Sequence, residues 1–293
     1  MDYKKRRNEN VGDLVGKTVA ITGTTGGLGR ELARYLCELN ADLILLDRSA
    51  ERSKSHQNEL LKLYPNINIT RITVDLENFD SVKAAAEALK RLPIDIFIHN
   101  AGAYSIPRHK CSTGFDNVFQ INFVSPFYII RELLPNLRER KGRVVAVGSI
   151  AHNYSNSDIN DIDFSSRTAA SKVYGNAKRF LMFSLYELFK NETEVTLSIA
   201  HPGITFTNIT AHYPKLIFAV IKHPMKIIFM KPKKAALSIL KGVFTPTLYH
   251  TWIGPRIFNI WGLPKLQKLN TVSEAESQKI GQIANEIYNE LKK

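Results

Sequence analysis

The sequence predicts an α/β domain built on a doubly wound, parallel sheet with helices on both faces. Three features carry that expectation. Short β-branched apolar runs alternate with helix-like stretches, the spacing of right-handed strand–helix–strand units. A glycine-rich turn joins the first run to its helix. Residues suited to holding a ligand recur where the runs end, the edge at which open parallel sheets bind their ligands.

Residues 1–16 read as a polar extension with a solvated cluster from Lys4 to Arg7, and residues 17–293 as one domain. Lys17–Thr22 is the first strand, of the kind buried in parallel sheets. The turn Gly23-Thr-Thr25-Gly-Gly27-Leu28-Gly29 follows, and then a helix-forming stretch, residues 30–40. Glycines between a strand and a helix N-terminus let the backbone approach a pyrophosphate, whose charge the free amides and the helix dipole favour. Turns also use glycine for purely steric reasons, so it is the placement that points to a dinucleotide.

The second strand, Asp42–Asp47, ends in an acid about twenty residues after the turn, where a carboxylate accepts both ribose hydroxyls of an adenosine and repels a ribose phosphate. Arg48 follows it, and a guanidinium there holds the additional phosphate of NADP. NAD(H) is favoured and NADP(H) stays open. Next come a strand Ile69–Asp75, a helix Asp80–Arg91, and a strand Ile94–His99 that runs into Asn100-Ala101-Gly102. A helix around Phe115–Leu137 precedes a strand Arg143–Ser149, and a helix over residues 165–190 precedes a strand Val195–Ala200 that delivers His201-Pro202-Gly203. The stretch Thr247–Gly262 offers a final strand, with Trp252 and Trp261 as packing residues. A last helix, residues 273–292, begins at Ser273 in a capping box with Glu276.

Tyr174 and Lys178, four residues apart, lie on one face of their helix. A phenol is a poor acid at neutral pH, and a neighbouring ammonium favours the phenolate, so the pair makes a general acid/base. The same spacing also arises as one core aromatic and one solvated cation. No group of His, Cys or acidic residues has metal-ligand spacing, and Asp158, Asp161 and Asp163 lack the glycine and terminal Glu of a calcium loop.

The ordered motifs resolve the choice. ITGTTGGLG (Ile21–Gly29), Asp75-Leu76, HNAG (His99–Gly102), FQINFVSPF around Asn122, VGS (Val147–Ser149), YGNAK (Tyr174–Lys178) and HPG (His201–Gly203) together resemble the short-chain dehydrogenase/reductase family. The resemblance implies a Rossmann-like fold and a nicotinamide-dependent interconversion of a secondary alcohol and a ketone. By it, Tyr174 is the proton donor in reduction, and Lys178 lowers the phenol pKa and bonds the nicotinamide ribose. Ser149 would hold the carbonyl oxygen, and Asn122 would support a water linking Lys178 to solvent. Thr205 would meet the cofactor's carboxamide or phosphates. The bland readings are a strand-end hydroxyl satisfying backbone for Ser149 and a side chain bonding within its own turn for Asn122. Two departures stand out: His99 replaces the family's usual Asn, as a structural, neutral residue, and 25 positions separate Ser149 from Tyr174, more than the family's usual spacing. The opposing class is a non-catalytic dinucleotide-binding sensor, which a degraded catalytic set would favour; here the set is intact.

Substrate and setting follow less directly. From Val195 to Ser273 there are ten Lys and Arg and no Asp or Glu, within a net charge of +13. Such a field suits nucleic acid, an anionic membrane surface or an anionic small molecule, or is a solubility feature. The resemblance implies a small-molecule substrate and no nucleic acid. Residues about 205–235, the family's lid region, set large apolar side chains between lysines, which argues for a bulky lipophilic substrate. A hydroxysteroid or ketosteroid is the expectation, by likeness to bacterial hydroxysteroid dehydrogenases such as those acting at the 20-β position; a retinoid-like alcohol is the rival. Peripheral membrane contact is the competing reading of the same residues. No run reaches the length of a membrane span, and two cysteines, Cys37 and Cys111, suit a reducing, cytoplasmic setting. Relatives pair the Asn122 and Tyr174 helices across a two-fold axis, and the many-sided apolar pattern of Phe180, Phe183, Leu185 and Phe189 fits such a homodimer or homotetramer.

Overall fold

The computed structural model describes residues 12–204 and 230–293. Thr205, most of the expected lid, and Lys215, Lys222 and Lys226 lie outside the described residues. One eight-stranded sheet runs in the order β3-β2-β1-β4-β5-β6-β7-β8. Its strands are β1 (Thr18–Thr22), β2 (Asp42–Asp47), β3 (Ile69–Thr73), β4 (Ile96–His99), β5 (Arg143–Val147), β6 (Thr196–Ala200), β7 (Thr251–Ile257) and β8 (Trp261–Lys268). All neighbouring pairs are parallel except β7 and β8. Strand order reverses at β1, between β2 and β4, and such a switch point opens a crevice at the carboxyl ends.

Both faces of the sheet are covered, which is why β1 and β2 read as continuous apolar runs. On one face, α1 (Gly27–Glu38), α2 (Ala50–Leu63) and α6 (Pro232–Phe244) bury Leu32, Leu36, Leu60, Ile239 and Val243 against Val19, Ile21 and Leu45. On the other, α3 (Phe79–Lys90), α4 (Ser125–Glu139) and α5 (Ala170–Leu188) bury an aromatic seam of Phe119, Phe123, Phe127 and Phe180. Pro232 marks the start of a helix. It occupies the first turn of α6, where the missing N–H is not needed.

Two expectations are corrected, and a third loses the pattern that supported it. The helix around Phe115–Leu137 is interrupted by a π-helical turn, Gln120–Val124, before α4 begins with Pro126 in its first turn. The stretch Thr247–Gly262 holds a strand and a turn rather than a last strand, because Phe258 and Asn259 adopt left-handed φ of 50° and 57° and fold the chain back as β8. The third concerns the outer faces of the Asn122 and Tyr174 helices. The last helix, α7 (Glu274–Lys292), packs on them from within the same chain, with Tyr128 against Tyr288 and Arg179 paired to Glu276. Apolar residues on several sides of α5 are therefore met by the sheet and α7, and the pattern is no longer an argument for a second copy. Ser273 caps Glu276 N–H as expected, but the Glu276 carboxylate goes to Arg179 and Ser157 instead of back to the cap.

Glu132 ties three helices together: it accepts from Tyr288 (2.5 Å) and pairs with Lys90 (3.0 Å) and Lys292 (3.1 Å). Burial pushes its carboxyl up, but those hydrogen bonds outweigh it and hold the group at about 2 against an ordinary 4.5. A depressed acid stabilises the fold above its unfolded value and loses that stabilisation as pH falls through its folded value. Glu132→Ala should cost about 3 kcal/mol at neutral pH in urea denaturation, and should flatten the acid limb of stability below pH 4.5.

Candidate active site

A cleft of about 630 Å³ opens at the carboxyl ends of β1, β2, β4, β5 and β6. Its floor is the glycine turn. Gly23 has a left-handed φ of 73°, and a Cβ there would stand 3.0 Å from Ala101 Cα. A Cβ on Gly29 would overlap the Gly23 carbonyl oxygen. Helix α1 starts directly after the turn, with no side chain capping it and no acid in its first turn. Its unpaired N–H groups and dipole thus face the cleft beside Thr25, Gly27 and Leu28.

The turn is held from two sides. Asn100 donates to the Thr22 and Gly23 carbonyls at 2.9 and 3.2 Å. Thr22 Oγ1 accepts from Asn100 N and Ala101 N, both 3.0 Å, and lies 3.3 Å from His99 Nδ1. Burial, with the Lys178 charge nearby, holds His99 well below its ordinary value, so it is a neutral structural residue. On the other side, the Asp47 carboxylate accepts from Thr24 Oγ1 (2.6 Å), Thr25 N (3.1 Å) and Ser53 Oγ (2.8 Å) and is 2% exposed. Three of its acceptor positions are thus used to fasten the turn, while the residue still lines the adenosine end of the cleft, where the sequence expects it to meet the ribose hydroxyls. Arg48 is exposed at the same end of the cleft, with no ion pair among the described residues, and Arg52 lines it while donating to the Thr25 carbonyl. Asp75 and Leu76 line the cleft from the end of β3.

Three groups expected to do chemistry converge on the opposite half. Ser149 lies two residues beyond β5 and caps a short 3-10 turn, Ile150–Tyr154, through Ala151 N (3.2 Å), and its hydroxyl also shares a hydrogen bond with Tyr174. Lys178 donates to the Val147 carbonyl (2.9 Å), and its Nζ lies 5.7 Å from the centre of the Tyr174 ring. Burial pushes the Tyr174 phenol up to about 12, against the Ser149 hydrogen bond. Burial pushes Lys178 down to about 7. So desolvation is the largest influence on both groups, raising the phenol and lowering the amine.

Asn122, in the π-helical turn, donates to Ala103 O and Val118 O at 2.8 Å and accepts from Ala103 N at 3.3 Å. It staples the segment after β4 to the turn, and its Oδ1 would stand 2.8 Å from a Cβ on Gly102. Its side chain does bond within its own turn, and the widened turn is what lets it reach Ala103 as well. Pro202 and Gly203 close the cleft beyond β6. Tyr104, unmarked in the sequence, packs edge-on against Tyr174 at 5.3 Å between ring centres. Arg52 and Ser53, equally unmarked, sit one helical turn inside α2, a helix whose polar sequence gives little periodic signal.

The residues present fit a dinucleotide. A turn with no room for a Cβ at Gly23 or Gly29, an uncapped helix N-terminus and the buried Asn100 Oδ1, without a partner among the described residues, form an anion- and donor-seeking cradle. Residues 17–215 match the model of the short chain dehydrogenase family, and the chain belongs to that family. It is 30% identical over 213 residues to the chloroplastic short-chain dehydrogenase TIC 32 A of Brassica napus, covering 67% of this chain and 66% of that protein. It is 31% identical over 202 residues to mouse (Mus musculus) retinol dehydrogenase 12, 67% of this chain and 64% of the relative, and 24% identical over 247 residues to human (Homo sapiens) polyprenol dehydrogenase, 79% and 74%. The chain thus spans just under two thirds of the TIC 32 A length. Among solved structures, an uncharacterized protein from Mycobacterium paratuberculosis superposes with a TM-score of 0.74 at 22% identity, over 96% of this chain and 95% of that one. The likeness is one of fold. Among the described residues, no cluster of three His, Cys, Asp or Glu is placed to hold a metal, and no helix is long and apolar enough to cross a membrane.

Two buried histidines flank Trp252 at this rim. His152 bonds Ser149 O (2.6 Å) and Thr271 Oγ1 (2.8 Å), and His201 stacks on Trp252 at 4.9 Å. Burial pushes both down to about 4 from an ordinary 6.5. The unfolded chain therefore binds protons that the fold refuses, and stability present above pH 6.5 is lost as pH falls toward 4. The urea midpoint should fall across that window, and His201→Asn should make the fall shallower.

Proposed function

We propose that the chain is a nicotinamide-dependent oxidoreductase interconverting an alcohol and a carbonyl group on a bulky lipophilic molecule. One observation carries this reading: a buried phenol bonded to a serine hydroxyl, beside a buried amine, shares a cleft with an uncapped helix N-terminus. When bound, the dinucleotide supplies or accepts the hydride. The Gly23–Gly29 turn and the start of α1 would hold its diphosphate, and Asp75 and Leu76 would flank its adenosine. Asn100, Ala101, Gly102, Lys178, Pro202, Gly203 and, by resemblance, Thr205 would hold the nicotinamide half. Tyr174, held near 12, keeps its proton at neutral pH and is poised to give it to a carbonyl oxygen. Ser149 steadies that oxygen while negative charge develops on it. Lys178, near 7, takes up or releases a proton around neutrality. Asn122 keeps the Ala103 backbone, and so the cleft wall, in place. Tyr174→Phe should abolish turnover and leave dinucleotide affinity, read by calorimetry, within about twofold; full turnover in the variant would end the role given to Tyr174, whereas dinucleotide binding with no turnover in the unmodified chain would support a non-catalytic sensor.

For the cofactor, NADP(H) is the better reading. Asp47 is engaged with the turn, and the two arginines at that end are matched to a phosphate rather than to a ribose diol. A charge-assisted hydrogen bond contributes about 1.5–3 kcal/mol. Arg48→Ala or Arg52→Ala should therefore weaken NADP+ binding by about tenfold or more and leave NAD+ binding unchanged. Asp47→Asn should lower the melting temperature without switching preference. A tenfold preference for NAD+ in the unmodified protein would reverse this reading.

The substrate reading moves from steroids toward isoprenoid-type lipophilic alcohols and their carbonyls, because the named relatives include a retinol and a polyprenol dehydrogenase. Apolar side chains of Tyr104, Ile106, Ile121, Ile150 and Tyr154 in the cleft support a bulky apolar ligand. A cofactor-absorbance screen over retinoids, polyprenals, ketosteroids and short polar ketones tests it; turnover of the short ketones alone would end it.

A further inference from the structure

The β7–β8 hairpin carries a surface that the reaction does not use. Phe258 at its tip is 82% exposed, and Ile257, Leu263 and Leu266 are each about 40% exposed on the same hairpin, at 42%, 41% and 39%. Left-handed φ angles at Phe258 and Asn259 fix the tip as a tight turn, so the aromatic ring is presented rather than tucked in. Arg256, Lys265 and Lys268 stand exposed among these side chains, with no ion pair among the described residues. No acid occurs anywhere between Val195 and Ser273. The hairpin is thus apolar at its tip, carries cations on both of its faces behind the tip, and has no acid of its own. Its position is equally specific. His201 donates to the Asn259 carbonyl (3.0 Å), and the Ile260 carbonyl lies against Gly203. The tip is therefore seated on the Pro202–Gly203 end of the candidate active site.

We infer that this hairpin docks the protein on an anionic lipid surface, the Phe258 tip entering the headgroup boundary and Arg256, Lys265 and Lys268 meeting the lipid charge. An aromatic anchor joined to a basic collar is the combination that binds such surfaces. A second copy of this chain is the poorer occupant, because a two-fold interface would set these cations against themselves. The inference rests on the lipophilic-substrate reading only for its use: docking here would bring the cleft to a bilayer that dissolves the substrate. Docking itself is measured without turnover.

The full chain would be sedimented with phosphatidylcholine vesicles and with vesicles that also contain phosphatidylserine, at low and high salt. Binding to the anionic vesicles alone, weakened by salt, is expected. Trp261 stands beside the tip while Trp252 is buried, so docking should shift the tryptophan emission to the blue, and Trp261→Phe should abolish the shift. Each cation near an anionic surface is worth about fivefold in partition; the Lys265→Glu/Lys268→Glu double variant should lose about 25-fold or more, and Phe258→Asp should lose about tenfold, both with unchanged dinucleotide affinity. Failure of the unmodified chain to bind anionic vesicles overturns the inference, as does binding that survives both variants. So does light scattering in which Phe258→Asp converts a dimer to a monomer, which would assign the surface to a second copy.

Discussion

The short turn from Thr22 to Thr25 is the constraint on which the candidate site depends. It lies where β1 meets both its neighbours, and it is fastened to β2 through Asp47 and to the end of β4 through Asn100. With Gly29 packed against its carbonyl, the turn has no freedom to close over the amides at the start of α1. An acid that would ordinarily touch the ligand is spent on shaping the floor beneath it. At the same end of the cleft stand Arg48 and Arg52, so the residues that fasten the turn and those that line the cleft's outer end are neighbours.

The reacting half is held by a different device. Arg179 follows Lys178 in α5 and reaches the His152 carbonyl, the Thr271 carbonyl and the Glu276 carboxylate at once. It therefore couples the helix bearing Tyr174 and Lys178 to the turn after Ser149 and to α7. The relative placement of phenol and serine hydroxyl is set by this buried guanidinium as much as by the sheet.

Much of this was legible in the sequence, for identifiable reasons. Strand runs such as Asp42–Asp47 are buried on both faces and show as unbroken apolar stretches, and the turn shows because crowding at Gly23 and Gly29 leaves no room for a side chain. The side-chain direction of Asp47 was not legible: its partners Thr24 and Ser53 lie on a turn and a helix, and only their meeting in space reveals that the carboxylate is taken. The covering of α5 by α7 was also hidden, since an apolar stripe states that something packs there and not whether it belongs to the same chain. The β8 return depends on a left-handed Phe258, a conformation for which a phenylalanine gives no warning.

The reach of α7 also bears on how the chain folds. Its contacts with α4 join residues 156 positions apart in Tyr288–Glu132, and the Arg179–Glu276 pair spans 97. Such separations carry a large loop-closure entropy and raise contact order, which slows folding. The strand–helix units from β1 to β5 can assemble through nearer neighbours first, leaving the apolar outer faces of α4 and α5 bare until α7 arrives. For that interval the molecule is a nearly finished sheet with an open flank, the species most prone to aggregate, and the speed of α7's docking sets how long the interval lasts.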